Sequence, residues 1–193
     1  MKGSRPLSQA EIESVARSFS GEYARRNRAL FLLGIYTGMR ISELLALTVG
    51  DVWEYSMPVE ILHLNKGMVK GKKEARMIPL SSKAQTVIKN LIAWKEFRGE
   101  SLAPDAPLFA SRNSGRPLSR FQAHLILKDA FEACQLSGKV TTHSMRKTFG
   151  TRLYTATKNM MLVKELLGHK SISTTQKYIG VGIEEMIQAV ELL

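Results

Sequence analysis

No stretch limits the possible folds of this chain more than Leu30-Phe31-Leu32-Leu33-Gly34-Ile35-Tyr36. It closes a helical pattern that starts near Tyr23, and it is apolar nearly all round. A helix with no polar face must be enclosed by other elements rather than lie on a surface. Gly38 then breaks it, and Ile41-Ser42-Glu43-Leu44-Leu45 begins a short new helix. Arg40 therefore stands at a helix amino end, next to core. Glu43 is three residues on, where the two side chains can meet on one face.

The elements that enclose this helix can be read from caps and periodicity. Ser8 with Glu11 three residues later starts a helix, and Leu7 can staple to Ile12. Ile12, Val15, Ala16 and Phe19 give that helix one apolar face. Val59 to Leu64 reads as a strand, and Met77-Ile78-Pro79-Leu80 as its return. Ser82 can cap a long helix to about Arg98, with Val87, Leu91, Ile92 and Trp94 or Lys95 on its buried side and edge. Ser119 and Gln122 make another capping box for a helix to about Cys134. Thr142 can cap a helix holding His143, Arg146 and Lys147. Leu162 to Leu167 is a short apolar helix that Gly168 stops. Ser173, with Gln176, starts another helix that carries Tyr178. Ile183, Met186, Ile187 and Val190 mark a terminal helix over 183–193. The fold class that follows is mainly α with a small antiparallel β-sheet (α+β).

Charge narrows the partners. The chain has 193 residues, with 28 Lys and Arg against 17 Asp and Glu, a formal charge of +11. That suits a polyanion, DNA or RNA first, although a basic soluble protein without such a partner can share the composition. Between Lys139 and Tyr178 there are eight Lys or Arg residues and one acid, Glu165. The link between the two strands, 65–76, carries five basic residues against one acid, either as a solvated charge run or as a finger that touches phosphate. Cys134 is alone, so an internal disulfide is impossible and a reducing cytosol is compatible. The apolar run Ala29–Tyr36 is far too short to span a membrane. There is no P-loop, HExxH or CxxC. His143 and His169 lack further ligands at the usual spacing, so neither a metal nor another cofactor is expected.

Those residues suit phosphoryl transfer without a metal. The reaction needs cations on the nonbridging oxygens as charge builds, and arginine forks match phosphate. Arg40 and Arg146 are the candidates. Tyr178 can serve as nucleophile if flanking cations favour its phenolate. A lysine can return a proton to the departing sugar oxygen. Singly, each has an ordinary structural explanation, such as packing for Tyr178 or a helix-end carbonyl for Arg146. The conjunction carries the reading.

Arg40 in TGMRISELLAL (37–47), His143 and Arg146 in THSMRKTFGTRL (142–153), and His169 and Tyr178 in LGHKSISTTQKYIGV (167–181) resemble the catalytic set of the tyrosine recombinases, the phage-integrase family. The likeness is specific in order, spacing and flanking residues, and it covers nearly the whole chain, Leu7 to Leu193. It implies a catalytic domain over 7–193, with a terminal helix at 183–193, behind a flexible segment at 1–6. By resemblance, Arg40 and Arg146 clamp the scissile phosphate, His143 lies beside that clamp, and His169 hydrogen-bonds the phosphate. Glu43 supports the first arginine from behind. Tyr178 attacks, forming a 3′-phosphotyrosyl link and freeing a 5′-hydroxyl, without ATP.

The family's lysine falls to Lys66, with Lys70 or Lys72 as alternatives because this loop is longer than the common form. Lys70, Lys72, Lys73, Arg76, Arg112, Arg116, Lys147 and Lys170 are candidate DNA contacts. The implied partners are double-stranded DNA and further copies of the chain, as a tetramer on DNA. The terminal helix either folds back on its own domain or docks on a neighbour. The implied location is the cytoplasm of a bacterium, or of a phage host, at the nucleoid. Two other functions share this pattern: a type IB topoisomerase-like relaxing activity, and a non-catalytic DNA-binding module derived from a recombinase.

Overall fold

The computed structural model describes residues 3–64, 75–112, 115–179 and 190–191. They fall into two compact units, residues 1–149 and 150–193.

The first unit opens with α1 (Gln9–Ser18) and α2 (Ala24–Thr37). Both halves of the capping box at Ser8 and Glu11 are present, and Leu7 and Ile12 are buried together as the staple requires. Arg5 pins the preceding segment. Its guanidinium donates to Glu11 at 2.6 and 2.9 Å and to the Ser137 carbonyl at 2.7 Å. That hydrogen bond from Arg5, helped by the Ser8 amide, lowers the Glu11 carboxyl from 4.5 to about 2. A carboxylate depressed on folding stabilises above its unfolded value and loses that contribution as pH falls through its folded one. Glu11→Gln is therefore expected to lower the melting temperature at neutral pH. The gap from wild type should close between about pH 4.5 and pH 2. The pair is partly exposed, so the full effect is about 1 kcal/mol or less.

α2 is the enclosed helix. Leu30 and Leu33 face one apolar cluster, shared with Leu44, Leu62, Ile78, Ile88 and Leu91. Phe31 and Ile35 face another, shared with Val15, Leu127, Phe131 and Met145. An all-round apolar surface is what a helix between two cores needs. After α3 (Ile41–Leu45) and α4 (Val49–Val52) come four short strands: β1 (Trp53–Glu54), β2 (Met57–Pro58), β3 (Ile61–Leu64) and β4 (Arg76–Pro79). They pair as two antiparallel ribbons, β1 with β2 and β3 with β4. The small sheet is thus divided, and its first ribbon and α4 go beyond the elements read from sequence.

In the second ribbon, Leu62 sits opposite Ile78 and Leu64 opposite Arg76. Leu62, Leu64 and Ile78 are buried, while Ile61, His63 and Met77 are exposed. With a period of two, Arg76 lies on the same inward face as Ile78.

α5 (Ser82–Phe97) packs on α2, and α6 (Arg120–Ala133) follows a loop. Ser81 rather than Ser82 caps α5, since the Ser81 hydroxyl accepts from the Ala84 amide. Trp94 and Lys95 are both buried; the Lys95 ammonium reaches Glu100 at 2.8 Å and the Pro107 carbonyl at 3.2 Å. The capping box at Ser119 and Gln122 forms, and the helix ends at Cys134. α7 (Thr142–Thr157) starts in this unit.

The second unit holds the rest of α7, then α8 (Met160–Leu167) and α9 (Ile172–Ile179). Asn159 caps α8, and Gly168 ends it at φ 62°, the left-handed stop read from sequence. A Cβ on Gly150 would lie 3.1 Å from Leu167 and 3.2 Å from Ile179, so this glycine lets the helices close on one another. Among the described residues, no helix is long and apolar enough to cross a membrane.

Candidate active site

In the first unit the site is built on one turn. Gly38 ends α2 at φ 62°, and its amide returns to the Gly34 carbonyl. Arg40 is extended (φ −69°, ψ 148°) and caps α3. Glu43 completes that turn. Its Oε2 accepts the Arg40 amide at 2.9 Å, and its Oε1 accepts the Arg40 guanidinium at 2.7 Å. A second guanidinium, from Arg76 on β4, reaches Oε2 at 3.0 Å. Glu43 has no exposed surface, whereas the Arg40 side chain is 30% exposed. One buried carboxylate thus carries two arginines, only one of which opens to solvent.

Arg146 reaches the same turn from α7. It is buried, and its Nη1 donates to the Gly38 carbonyl at 2.7 Å, two residues before Arg40. The approach of α7 depends on Gly34, where a Cβ would come within 2.9 Å of the Met145 sulfur, next to Arg146. The start of α7 is fixed by Thr141, one residue earlier than read. The Thr141 hydroxyl accepts the His143 amide at 3.2 Å, and the Ser144 hydroxyl accepts the Thr141 amide at 3.1 Å. His143 is exposed, although three residues from the buried Arg146.

Burial pulls the Arg76 guanidinium below its ordinary value. Glu43 works against that, and the nearby Arg40 charge adds to it. The cluster stands or falls with Glu43, because losing one member of a buried ionic group leaves an uncompensated charge. Glu43→Ala is expected to destabilise the fold by about 3 kcal/mol, read as a lower urea midpoint. An unchanged midpoint would contradict the burial argument.

In the second unit, His169 follows the Gly168 stop, and its amide donates to the Lys164 carbonyl at 3.0 Å. Its Nδ1 is 2.9 Å from the hydroxyl of Thr175, which is buried. Tyr178, one turn further along α9, meets the His169 ring edge-on, with centroids 5.2 Å apart at 78°. Ser171 rather than Ser173 starts α9, its hydroxyl accepting the Thr174 amide. A hydroxyl that donates to Nδ1 leaves the ring proton on Nε2, where it can meet an anion.

The other residues singled out from sequence divide in three. Arg112 and Arg116 are exposed on the turn closed by the Ser111 amide and the Arg116 carbonyl at 2.7 Å. Lys147 is half-buried and Lys170 exposed. Lys66, Lys70, Lys72 and Lys73 lie outside the described residues, as do 183–189 and 192–193 of the span read from sequence as a terminal helix. Arg76, read as a phosphate contact, is turned inward onto Glu43. Its place two residues before buried Ile78 is the signal that points there. Thr175 was missed because its link to His169 crosses a turn. Among the described residues, no group of three His, Cys, Asp or Glu side chains could hold a metal.

Residues 6–184 match the model of the Phage integrase family. The chain is 35% identical over 177 residues to the probable integrase/recombinase YoeC of Bacillus subtilis, covering 92% of this chain and 90% of that protein. It is 33% identical over 185 residues to the tyrosine recombinase XerD of Halalkalibacterium halodurans, where it spans 92% of itself but only 57% of the relative. In fold it is similar to the XerA recombinase (TM-score 0.77, 20% identity, all of this chain and 64% of that one). It is also similar to the Tn1549 transposon integrase in complex with transposon right end DNA (TM-score 0.75, 22% identity, 100% and 67%). The mainly helical fold with a small antiparallel sheet thus matches the architecture of a tyrosine recombinase catalytic domain. The chain belongs to the phage integrase family, whose members include the tyrosine recombinases.

Proposed function

We propose that this protein is a site-specific recombinase or integrase that cuts and rejoins DNA through Tyr178. The observation that carries the reading is the turn 38–43. It holds the Arg40 guanidinium on Glu43 and takes that of Arg146 on the Gly38 carbonyl. Two arginines fixed on one short turn suit the nonbridging oxygens of a single phosphate, where charge grows in the transition state. The DNA complex of the Tn1549 integrase, and that of the XerH recombinase with its difH substrate, support a DNA partner.

In this reading the Tyr178 oxygen attacks phosphorus. The new bond joins tyrosine to the DNA 3′-phosphate, and the bond to the 5′-oxygen breaks. Arg40, Arg146 and His169 hold the nonbridging oxygens, and His143 takes the tyrosine proton. Lys66, Lys70 or Lys72 protonates the leaving 5′-oxygen. A 5′-hydroxyl from a partner strand then reverses the step, so the phosphodiester energy is conserved and no ATP is needed. Lys70, Lys72, Lys73, Arg112, Arg116, Lys147 and Lys170 contact the DNA backbone. Copies associate on DNA, with the span 183–193 either as the contact between them or folded back on its own domain.

The test is a covalent trap. Nicked duplexes lose the short 5′-hydroxyl fragment after cleavage and cannot be resealed, so a denatured protein–DNA adduct accumulates. It should form equally in the presence of chelator. An activity that chelator removes would contradict the metal-free chemistry. Strong relaxation of supercoiled plasmid with no recombinant product would point to a topoisomerase instead.

A further inference from the structure

We propose that Arg76 is a positioning residue that sets how Arg40 presents itself to the phosphate, rather than a DNA contact. The inference rests on the recombinase reading above.

Glu43 offers two oxygens to the Arg40 guanidinium. An arginine and a carboxylate left alone tend to pair through two parallel hydrogen bonds. Here they do not. Among the described residues, Arg40 makes one side-chain bond, from Nη1 to Oε1 at 2.7 Å. The other oxygen, Oε2, is occupied by the Arg40 amide at 2.9 Å and by Arg76 Nη2 at 3.0 Å. With Oε2 filled, Arg40 is restricted to a single bond and keeps its other N–H donors for a ligand. The surface values agree with this division of labour. The Arg40 side chain is 30% exposed, that of Arg76 is 11% exposed, and Glu43 is fully covered.

The second cation also matters for charge. A carboxylate cut off from water needs compensation, and Arg40 must share its own charge with any phosphate it binds. Arg76 supplies that compensation from the inner face of β4, where strand alternation directs it. When Arg40 turns toward a phosphate, Glu43 keeps a partner. Without Arg76, the carboxylate would draw Arg40 into a two-bond fork and away from DNA.

The experiment compares wild type, Arg76→Gln and Arg76→Lys on a nicked duplex recovered as a wild-type adduct. Alongside it, affinity for a short random duplex is followed against salt. Arg76→Gln is expected to slow adduct formation about 10- to 100-fold, the loss seen when a side chain that orients a metal ligand from behind is removed. The slope of log affinity on log salt should stay unchanged. Arg76→Lys, which returns a cation to Oε2, should recover most of the rate. A slope reduced by about 1 would make Arg76 a phosphate contact and overturn the proposal. So would an unchanged rate in Arg76→Gln. If Arg76→Gln does not fold, the pair Glu43→Gln with Arg76→Met removes both charges together. That double variant should cleave no more slowly than Glu43→Gln alone, and a further loss would count against action through Glu43. No adduct with wild type at all is a different failure, because it removes the recombinase reading and this inference with it.

Discussion

Tyr178→Phe is expected to abolish the covalent protein–DNA adduct while leaving DNA affinity little changed. The substitution removes one oxygen and keeps the ring. The edge-on contact with His169, 5.2 Å between centroids, depends on the ring, so α9 should keep its place. The lost oxygen is the proposed nucleophile. Adduct yield on nicked duplexes and gel-shift affinity, measured on one preparation, separate the two effects. Loss of both together would make Tyr178 structural, and the chain would then read as a DNA-binding module.

Arg146→Ala should lower the cleavage rate by about 10²- to 10³-fold, the usual loss when one donor to a developing oxyanion is removed. Affinity should fall far less, because the contact strengthens as charge accumulates in the transition state. Equal losses in rate and affinity would mean uniform binding and would remove that role. Arg146 also has a structural duty, since it is buried and donates to the Gly38 carbonyl at 2.7 Å. Losing that bond costs about 1–3 kcal/mol of stability. Arg146→Lys is the informative companion. It keeps a charge near Gly38 but loses the planar fork, so stability should recover more than catalysis does.

Much of this fold was legible because its signals are local. The Ser8–Glu11 and Ser119–Gln122 boxes, the Gly38 and Gly168 stops, and the all-round apolar run of α2 each lie within a few residues. Helix starts slipped by a residue or two where several hydroxyls compete, as at Ser81, Thr141 and Ser171. The β1–β2 ribbon gave no such sign. Its turn places Tyr55 at φ 48° and Ser56 at φ 63°, conformations that glycine or asparagine usually announce. Within the candidate site, Arg40 with Glu43 was readable from a spacing of three. The second bond to Glu43, from Arg76 thirty-three residues away, was not, because it comes from strand pairing rather than spacing. The inward aim of Arg76 could have been taken from its alternation with Ile78. The +11 charge drew it toward phosphate instead.

The central claim is that Tyr178 becomes bonded to DNA, and peptide mapping of the trapped adduct tests it most directly. Protein incubated with a library of nicked duplexes would be denatured and digested, and the nucleotide-bearing peptide identified by mass. That peptide should contain Tyr178, linked to a DNA 3′-phosphate, and should be missing from Tyr178→Phe. A nucleotide on any other residue, or no adduct from the longest native form of the protein, would contradict it.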